Sequence, residues 1–316
     1  MASTEKQAAT YVAKIRTSVE QGQADAQFKF GWMYECGKGV AQDDKQALIW
    51  YQQAAEQGHA DAQFKLGRMY ECGKGVTQED HKQAVTWYQK AAEQGHTDAQ
   101  FKLGRMYECG KGVALEDHKQ AVAWYQKAAG QAHASAQYRV GMMYECGKGV
   151  AQDDKQAVYW IRKAAEQGHA DAQFKLGYLY DTGDRIGQDD KQAADWLRKA
   201  AEQGNGRAQF RLGWMHDLLG KTVAYNDWQT VVLTRRAAEQ GDVLAQFRLG
   251  GMYAEGKWVP QDEKQAYAWF SICPTKAIFK EDAISHCEQL AVKLTSAQLS
   301  DAQKLAARYF ELYRRK

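Results

Sequence analysis

The stretch HADAQFKLGRMYECGKGVTQEDHKQAVTWYQKAAEQG, residues 59–95, decides the fold because close copies of it recur along the chain. Its Ala-Gln-Phe or Ala-Gln-Tyr motif begins seven times at intervals of 36 or 37 residues, at Ala26, Ala62, Ala99, Ala136, Ala172, Ala208 and Ala245. A constant period of this length is typical of proteins that stack copies of one supersecondary unit. We therefore expect the 316 residues to form one repeat array rather than two ordinary domains.

Each repeat is predicted to contain two helices. In residues 59–95, the first helix begins after His59 at the N-cap position and ends near Gly73, which can adopt the left-handed conformation of a helix end. The second helix begins at Asp80, which together with Gln83 matches the Asp-x-x-Gln form of a capping box. The other repeats carry Asp43/Gln46, Asp117/Gln120, Asp153/Gln156, Asp189/Gln192, Asp262/Gln265 and, in the sixth repeat, Asn226/Gln229.

The apolar residues of each repeat fall on one side of each helix. In the first repeat, the second helix is expected to bury Ala47, Trp50, Tyr51, Ala54 and Ala55. The first helix is expected to bury Ala26, Phe30, Met33 and Tyr34. Gly31 lacks a side chain, so the two helices can approach closely there. One helix pair cannot cover these surfaces alone, so the sequence predicts an all-α fold, a right-handed α-solenoid of stacked pairs.

The chain is expected to divide into three regions. Residues 1–22 are predicted to form an N-terminal capping helix, and residues 278–316 two C-terminal capping helices, the second starting at a Thr295/Gln298 capping box. The seven repeats fill residues 23–277, at 23–58, 59–95, 96–131, 132–168, 169–204, 205–241 and 242–277.

The repeat pattern resembles that of the Sel1-like repeat family, which is related to the tetratricopeptide repeats. The matching pattern is A-x-x-x-L-G-x-x-Y-x-x-G-x-G-V followed by D-x-x-x-A-x-x-W-x-x-x-A-A-x-x-G, and it covers about four fifths of the chain. The C-terminal LTSAQLSDAQKLAARYFELYRR is similar to the helix that closes many bacterial members. The resemblance implies a non-catalytic adaptor that binds other proteins along its curved surface.

Three functional classes follow from the resemblance. The first is an interaction scaffold in a resident complex, and the alternative is a bacterial immunity protein that neutralises a secreted antibacterial effector. A hydrolase of cell-wall or β-lactam substrates ranks below both. A cysteine-rich branch of the family linked to penicillin binding carries paired cysteines in each repeat, and this chain lacks them.

By the resemblance, one side of the first helix should line the concave groove of the solenoid and contact the partner. An aromatic ladder runs along this side, with one ring in each repeat: Phe28, Phe64, Phe101, Tyr138, Phe174, Phe210 and Phe247. Aromatic residues contribute strongly to binding at interfaces, so these rings are candidates for partner contacts. The alternative is that each ring packs against the next repeat.

A second set of candidates lies four residues further on in each repeat. We call it the variable stripe, because its chemistry changes from copy to copy: Trp32, Arg68, Arg105, Met142, Tyr178, Trp214 and Gly251. A core position would not accept Trp, Arg and Gly interchangeably, so the variable stripe is expected to face solvent. These residue types are enriched at interface cores, although neutral drift of an exposed position remains the alternative. Glu35, Glu71, Glu108 and Glu145 form a parallel row that would either receive a basic partner or simply be solvated.

No catalytic residue, metal site or cofactor is predicted. The cysteines at 36, 72, 109 and 146 lie one repeat apart, and stacked helices are too far apart for disulfides between them. Cys273 is expected to be inert core, with a bridge to Cys287 as the alternative. His59, His96, His133 and His169 lack the spacing of zinc ligands and are expected either to cap helices or simply to be exposed.

The expected partner is another protein, either a resident complex component or a secreted effector. A net charge of +3 gives no polybasic surface for nucleic acid, and no run of 18 apolar residues predicts membrane insertion. No small-molecule substrate is predicted. The sequence as it stands indicates a cytoplasmic protein, with the periplasm as the alternative if a leader has been removed.

Overall fold

A computed structural model describes residues 18–19, 21–219, 227–273 and 280–313, and every regular element among them is a helix. The first eight helices are α1 Ala24–Cys36, α2 Asp44–Glu56, α3 Ala60–Cys72, α4 His81–Glu93, α5 Thr97–Glu108, α6 His118–Gly130, α7 Ala134–Cys146 and α8 Asp154–Glu166. The others are α9 Ala170–Thr182, α10 Asp190–Glu202, α11 Gly206–Leu219, α12 Asp227–Glu239, α13 Val243–Glu255, α14 Glu263–Ser271, α15 Lys280–Lys293 and α16 Ser296–Tyr313.

The chain forms two compact units, residues 1–163 and 164–316, each built from stacked helix pairs. In the first unit, α1, α3 and α5 each pack on the helix that follows, and that helix packs on the first helix of the next repeat. The second unit follows the same order, and its α14 also packs on the two C-terminal helices α15 and α16. The expected N-terminal capping helix, residues 1–22, lies almost entirely outside the described residues.

Aspartates begin the second helices, but most of the predicted capping boxes are only half formed. The Asp80 carboxylate accepts a hydrogen bond from the Gln83 backbone N–H at 3.0 Å. The Gln83 side chain makes no reciprocal bond within the described structure, and the Asp80 N–H instead donates to the carbonyl oxygen of Tyr70 at 2.9 Å. A backbone carbonyl group of the first helix therefore accepts the hydrogen bond that the glutamine side chain was expected to accept. The reciprocal box forms at Thr295 and Gln298, whereas Asn226 is not among the described residues.

Alanines and a tyrosine form the core between the helices of a repeat. In the second repeat, Tyr88 is fully buried together with Ala84, Ala91 and Ala92. Its ring lies so close to Gly67 that a Cβ atom there would sit 2.7 Å from the Tyr88 Cδ1 atom. The same relation joins Gly31 and Tyr51, which confirms the predicted close approach of the two helices. Most predicted core residues of the first repeat are buried, whereas Trp50 and Tyr34 are half-buried.

A second glycine in the second, third and fourth repeats is required by the stacking of neighbouring repeats. Gly112 has φ +72°, and a Cβ atom there would lie 2.1 Å from the carbonyl oxygen of His81, at the start of the preceding second helix. A Cβ atom at Gly75 would likewise lie 2.4 Å from the carbonyl oxygen of Asp44. Trp258 occupies the equivalent position of the seventh repeat with φ +62°. The left-handed backbone is therefore retained there even with a side chain.

We predict that Gly112→Ala destabilises the protein much more than the control Gly95→Ala. Both glycines have positive φ, which costs an alanine about 1 kcal/mol. Nothing lies within 4 Å of a Cβ atom at Gly95, whereas at Gly112 the clash with a backbone oxygen adds about 1–3 kcal/mol. Urea denaturation measures the two free energies of unfolding, and equal losses would show that this glycine does not set the repeat spacing.

Candidate interaction surface

Histidines at the starts of the first helices connect neighbouring repeats. The His96 Nδ1 atom accepts a hydrogen bond from the Ala99 N–H at 3.2 Å, and its Nε2 atom lies 3.2 Å from the Asp61 carboxylate of the preceding repeat. Because Nδ1 is an acceptor, a neutral ring carries its proton on Nε2, the nitrogen that faces Asp61. His59, His133 and His169 cap their helices in the same way, which confirms the capping prediction.

The aromatic ladder is packed between repeats in the first unit. The Phe64 ring stacks on the His96 ring with centroids 4.6 Å apart, and it also faces the Tyr88 ring at 5.8 Å. The equivalent rings make equivalent contacts, Phe28 with Tyr51 and His59, and Phe101 with Tyr125 and His133. The other members, Tyr138, Phe174, Phe210 and Phe247, are also half-buried. The rings thus have a structural role of the kind that the alternative interpretation named, and partner binding by their exposed edges stays a prediction.

The row of glutamates is bonded within the fold. Glu71 accepts hydrogen bonds from the Tyr88 hydroxyl at 2.6 Å and from the Lys102 ammonium of the next repeat at 2.9 Å. Glu35 is bonded in the same way by Tyr51 and Lys65. Glu108 accepts from Tyr125 and lies 3.5 Å from Arg139. Neither a solvated row nor a row open to a basic partner describes these three carboxylates.

The environment of Glu71 favours its charged form. Burial alone would raise the pKa of this carboxyl group, but the hydrogen bonds from Tyr88 and Lys102 and the positive charges of Lys102 and Arg105 outweigh burial. The pKa of Glu71 therefore lies below its ordinary value of 4.5, and the pKa of Glu35 is lowered by the equivalent neighbours. Burial and the adjacent carboxylate raise the pKa of Tyr88, so its hydroxyl remains a hydrogen-bond donor.

Three of the four positions of the variable stripe in the first unit face solvent. Arg68 and Arg105 are exposed, Trp32 is 37% exposed and Met142 is half-buried. The Lys38 ammonium lies 4.7 Å from the centroid of the Trp32 ring. In the second unit, Tyr178 is 36% exposed, and the side chain of Trp214 is not among those described.

The last position of the variable stripe opens a cavity of about 390 Å³ in the second unit. An added Cβ atom at Gly251 would meet nothing within 4 Å. The surrounding residues include Phe247, Trp258, Phe270 and His286. The cavity was not predicted, although Gly251 and Trp258 both depart from the residues of the early repeats. These two departures from the repeat pattern were the sequence signal for the cavity. The sequence alone does not show that Gly251 and Trp258 line the same cavity.

The cysteines are free thiols. Those at 36, 72, 109 and 146 are exposed, and Cys273 and Cys287 are not bridged. Burial raises the pKa of Cys273 to about 12, which keeps the thiol protonated and unreactive. In the described part of the chain, no group of three or more His, Cys, Asp or Glu residues is arranged to hold a metal ion. None of the described helices is long and apolar enough to cross a membrane.

The family model of the Sel1 repeat matches the chain seven times, at residues 24–59, 60–96, 97–133, 134–169, 170–205, 206–242 and 243–272. The chain belongs to the Sel1 repeat family. Its fold is accordingly an all-helical Sel1-repeat α-solenoid, as the sequence pattern predicted. The family is typically a non-catalytic scaffold. No curated protein matches the chain.

Several solved structures resemble the chain. A Sel1 repeat protein from Oxalobacter formigenes is 30% identical with a TM-score of 0.69, over 79% of this chain and 97% of that one. A protective antigen of uropathogenic Escherichia coli is 30% identical with a TM-score of 0.48, over 96% of this chain and 80% of that one. An immunity protein from Pseudomonas aeruginosa is 22% identical with a TM-score of 0.42, over 73% and 81%. The first of these supports the fold assignment.

We predict that Glu71→Gln weakens the loss of stability in acid. A lowered pKa in the folded state adds stability above the ordinary pKa of 4.5, and this contribution is lost as pH falls through the lower, folded value. The wild-type free energy of unfolding should therefore fall more steeply below about pH 4.5 than that of the variant. At neutral pH the variant should be less stable by about 1 kcal/mol.

The matched control is Glu93→Gln, which removes an exposed carboxylate that accepts a hydrogen bond from Gln89 on its own helix. Urea denaturation at a series of pH values measures all three proteins. Parallel pH profiles for the wild type and Glu71→Gln would contradict the assignment of Glu71 as a charged link between repeats.

Proposed function

We propose that this protein is a non-catalytic scaffold that binds another protein across the first-helix surface of its repeats. One observation carries the proposal. The variable stripe is exposed at Trp32, Arg68 and Arg105 and half-buried at Met142, and its chemistry changes between repeats that are otherwise nearly identical. On the same helices, the positions of Phe64 and Glu71 change little between the early repeats, and these two side chains already have partners within the fold. We therefore assign recognition of the partner protein to the variable stripe.

The residue types of the stripe suit a protein interface. Trp, Arg, Tyr and Met are enriched in interface cores, and buried Trp, Tyr and Arg anchors dominate binding energies. Trp32, Arg68, Arg105 and Met142 follow one another across four repeats. With neighbouring helices about 10 Å apart, they extend over about 30 Å, which is enough for an interface of standard size.

The same contacts support a binding role over a catalytic one. Acid–base catalysis needs a titratable group that is free to exchange a proton with a substrate. His96, Glu71 and Tyr88 are titratable residues of this surface that other groups already hold. Glu71 is bonded by Tyr88 and by Lys102 of the next repeat, and His96 caps its own helix. We therefore assign them structural roles and propose no small-molecule substrate.

We predict that changing Trp32, Arg68, Arg105 and Met142 together to Ala abolishes partner capture while leaving the fold intact. The matched control changes Ile49, Lys82, Lys119 and Tyr159 to Ala. These four are exposed on the second helices of the same repeats and have similar chemistry. Affinity capture from a lysate of the source organism, followed by quantitative mass spectrometry, should recover one dominant protein with the wild type and the control. Equal recovery with the stripe variant would exclude the stripe.

The identity of that protein separates a scaffold from an immunity protein. A scaffold would bind a resident component of a complex with modest affinity and leave its activity intact. An immunity protein would bind a secreted effector enzyme with about nanomolar affinity or tighter and abolish its activity. An assay of the captured protein with and without this chain therefore distinguishes the two partner classes.

A further inference from the structure

The charges on the first-helix surface of the first unit are largely balanced by one another. Lys65 lies 2.9 Å from the Glu35 carboxylate and Lys102 lies 2.9 Å from that of Glu71. Arg139 lies 3.5 Å from the Glu108 carboxylate. Each cation belongs to the repeat that follows its glutamate, so these pairs are part of the stacking. They leave little net charge for a partner to recognise.

Arg68 and Arg105 are different. Both are exposed, and neither makes a hydrogen bond or an ion pair within the described structure. Their positive charges act at longer range on Glu35 and Glu71, which already have lysine partners. The centre of the variable stripe therefore carries two uncompensated guanidinium groups, one repeat apart.

Apolar side chains stand at both ends of this cationic pair. Trp32 precedes Arg68 by one repeat and is 37% exposed, and Met142 follows Arg105 by one repeat. From the first to the fourth repeat, the stripe therefore presents an aromatic side chain, two cationic side chains and a thioether side chain. Two isolated guanidinium groups between apolar residues do not match the extended basic surface that nucleic acids require.

We propose that the partner segment bound by the first unit is acidic, with two carboxylates about 10 Å apart that pair with Arg68 and Arg105. Apolar side chains of the same segment contact Trp32 and Met142. Carboxylates three residues apart in a segment with the polyproline-II conformation have this spacing on one face, since that conformation has three residues per turn and advances by about 3.1 Å per residue. A guanidinium group also binds a carboxylate through two parallel hydrogen bonds, which gives directional specificity. This inference rests on the proposed function and adds the chemistry of the partner to it.

A display library of random peptides of about 12 residues tests the inference, because such a peptide is long enough to span four repeats. The library is panned against the wild type, against Arg68→Glu/Arg105→Glu, and against the control Lys82→Glu/Lys119→Glu. The control makes the same change of charge at exposed positions of the second helices, with the same separation of 37 residues. We expect acidic pairs on the wild type and the control, and basic pairs on the charge-reversed stripe.

The best acidic peptide is then synthesised and titrated against purified protein. We expect it to bind Arg68→Glu/Arg105→Glu at least about 10-fold more weakly than the wild type, and to lose affinity when NaCl is raised from about 0.05 to about 0.5 M. The variant Arg68→Gln/Arg105→Gln serves if charge reversal disturbs the fold, because it removes the guanidinium groups without adding carboxylates beside Glu35 and Glu71. It should lose acidic binding without gaining basic binding.

The outcomes separate this inference from the function that it refines. Acidic peptides that bind the wild type and the stripe variants equally overturn the inference. Enrichment of uncharged peptides that are lost on Trp32→Ala/Met142→Ala overturns the acidic preference but keeps the stripe as a binding surface. Enrichment of nothing also overturns the inference, and the capture experiment with the whole protein then decides the proposed function separately.

Discussion

A buried glutamine in the Ala-Gln-Phe motif holds three helices together. Gln63 is only 4% exposed, and its Nε2 atom donates to the carbonyl oxygen of Ala55 in the preceding repeat at 3.0 Å. Its Oε1 atom accepts from the Gln94 side chain at the end of α4, at 2.7 Å. A buried amide without partners is costly, so each first helix is satisfied only when the preceding repeat and its own second helix are in place. Gln100 and Gln173 make the same two bonds, so stacking is built into these copies of the motif.

The contacts between repeats also determine what remains for binding. His96 reaches back to Asp61, and Glu71 reaches forward to Lys102, so the conserved pattern of polar residues is occupied by neighbouring repeats. Among the described residues, Arg68 and Arg105 make no such bond to a neighbouring repeat, so these two positions can change without weakening the stack. The sixth repeat departs from this scheme, because Gln209 still donates to Ala201 but no described group bonds its Oε1 atom. The residues that link the repeats are nearly constant while one position varies, which fits the proposed role in protein recognition.

Much of the fold could be predicted because the repeat period and the helix-end residues are local signals. The left-handed glycine at Gly73 and the close approach at Gly31 both follow from the residues of one copy. The pairing of Glu71 with Lys102 could not be predicted in the same way, since it joins residues 31 positions apart in different repeats. Recurrence in a sequence shows which residues are equivalent, but it does not show which of them touch. The half-formed capping boxes were mispredicted because a backbone carbonyl of the first helix bonds the N–H that the glutamine was expected to bond.

A double-mutant cycle on Gln63 and Gln94 tests most directly whether the buried glutamine links the repeats. Each residue is changed to Met, which keeps the length of the side chain and removes its polar atoms, singly and together, and urea denaturation gives the free energies of unfolding. The control cycle pairs Gln63 with the exposed Gln89, which bonds Glu93 on its own helix. We predict a coupling energy of about 1 kcal/mol for Gln63 with Gln94 and about zero for the control. A coupling energy near zero in both cycles would contradict it.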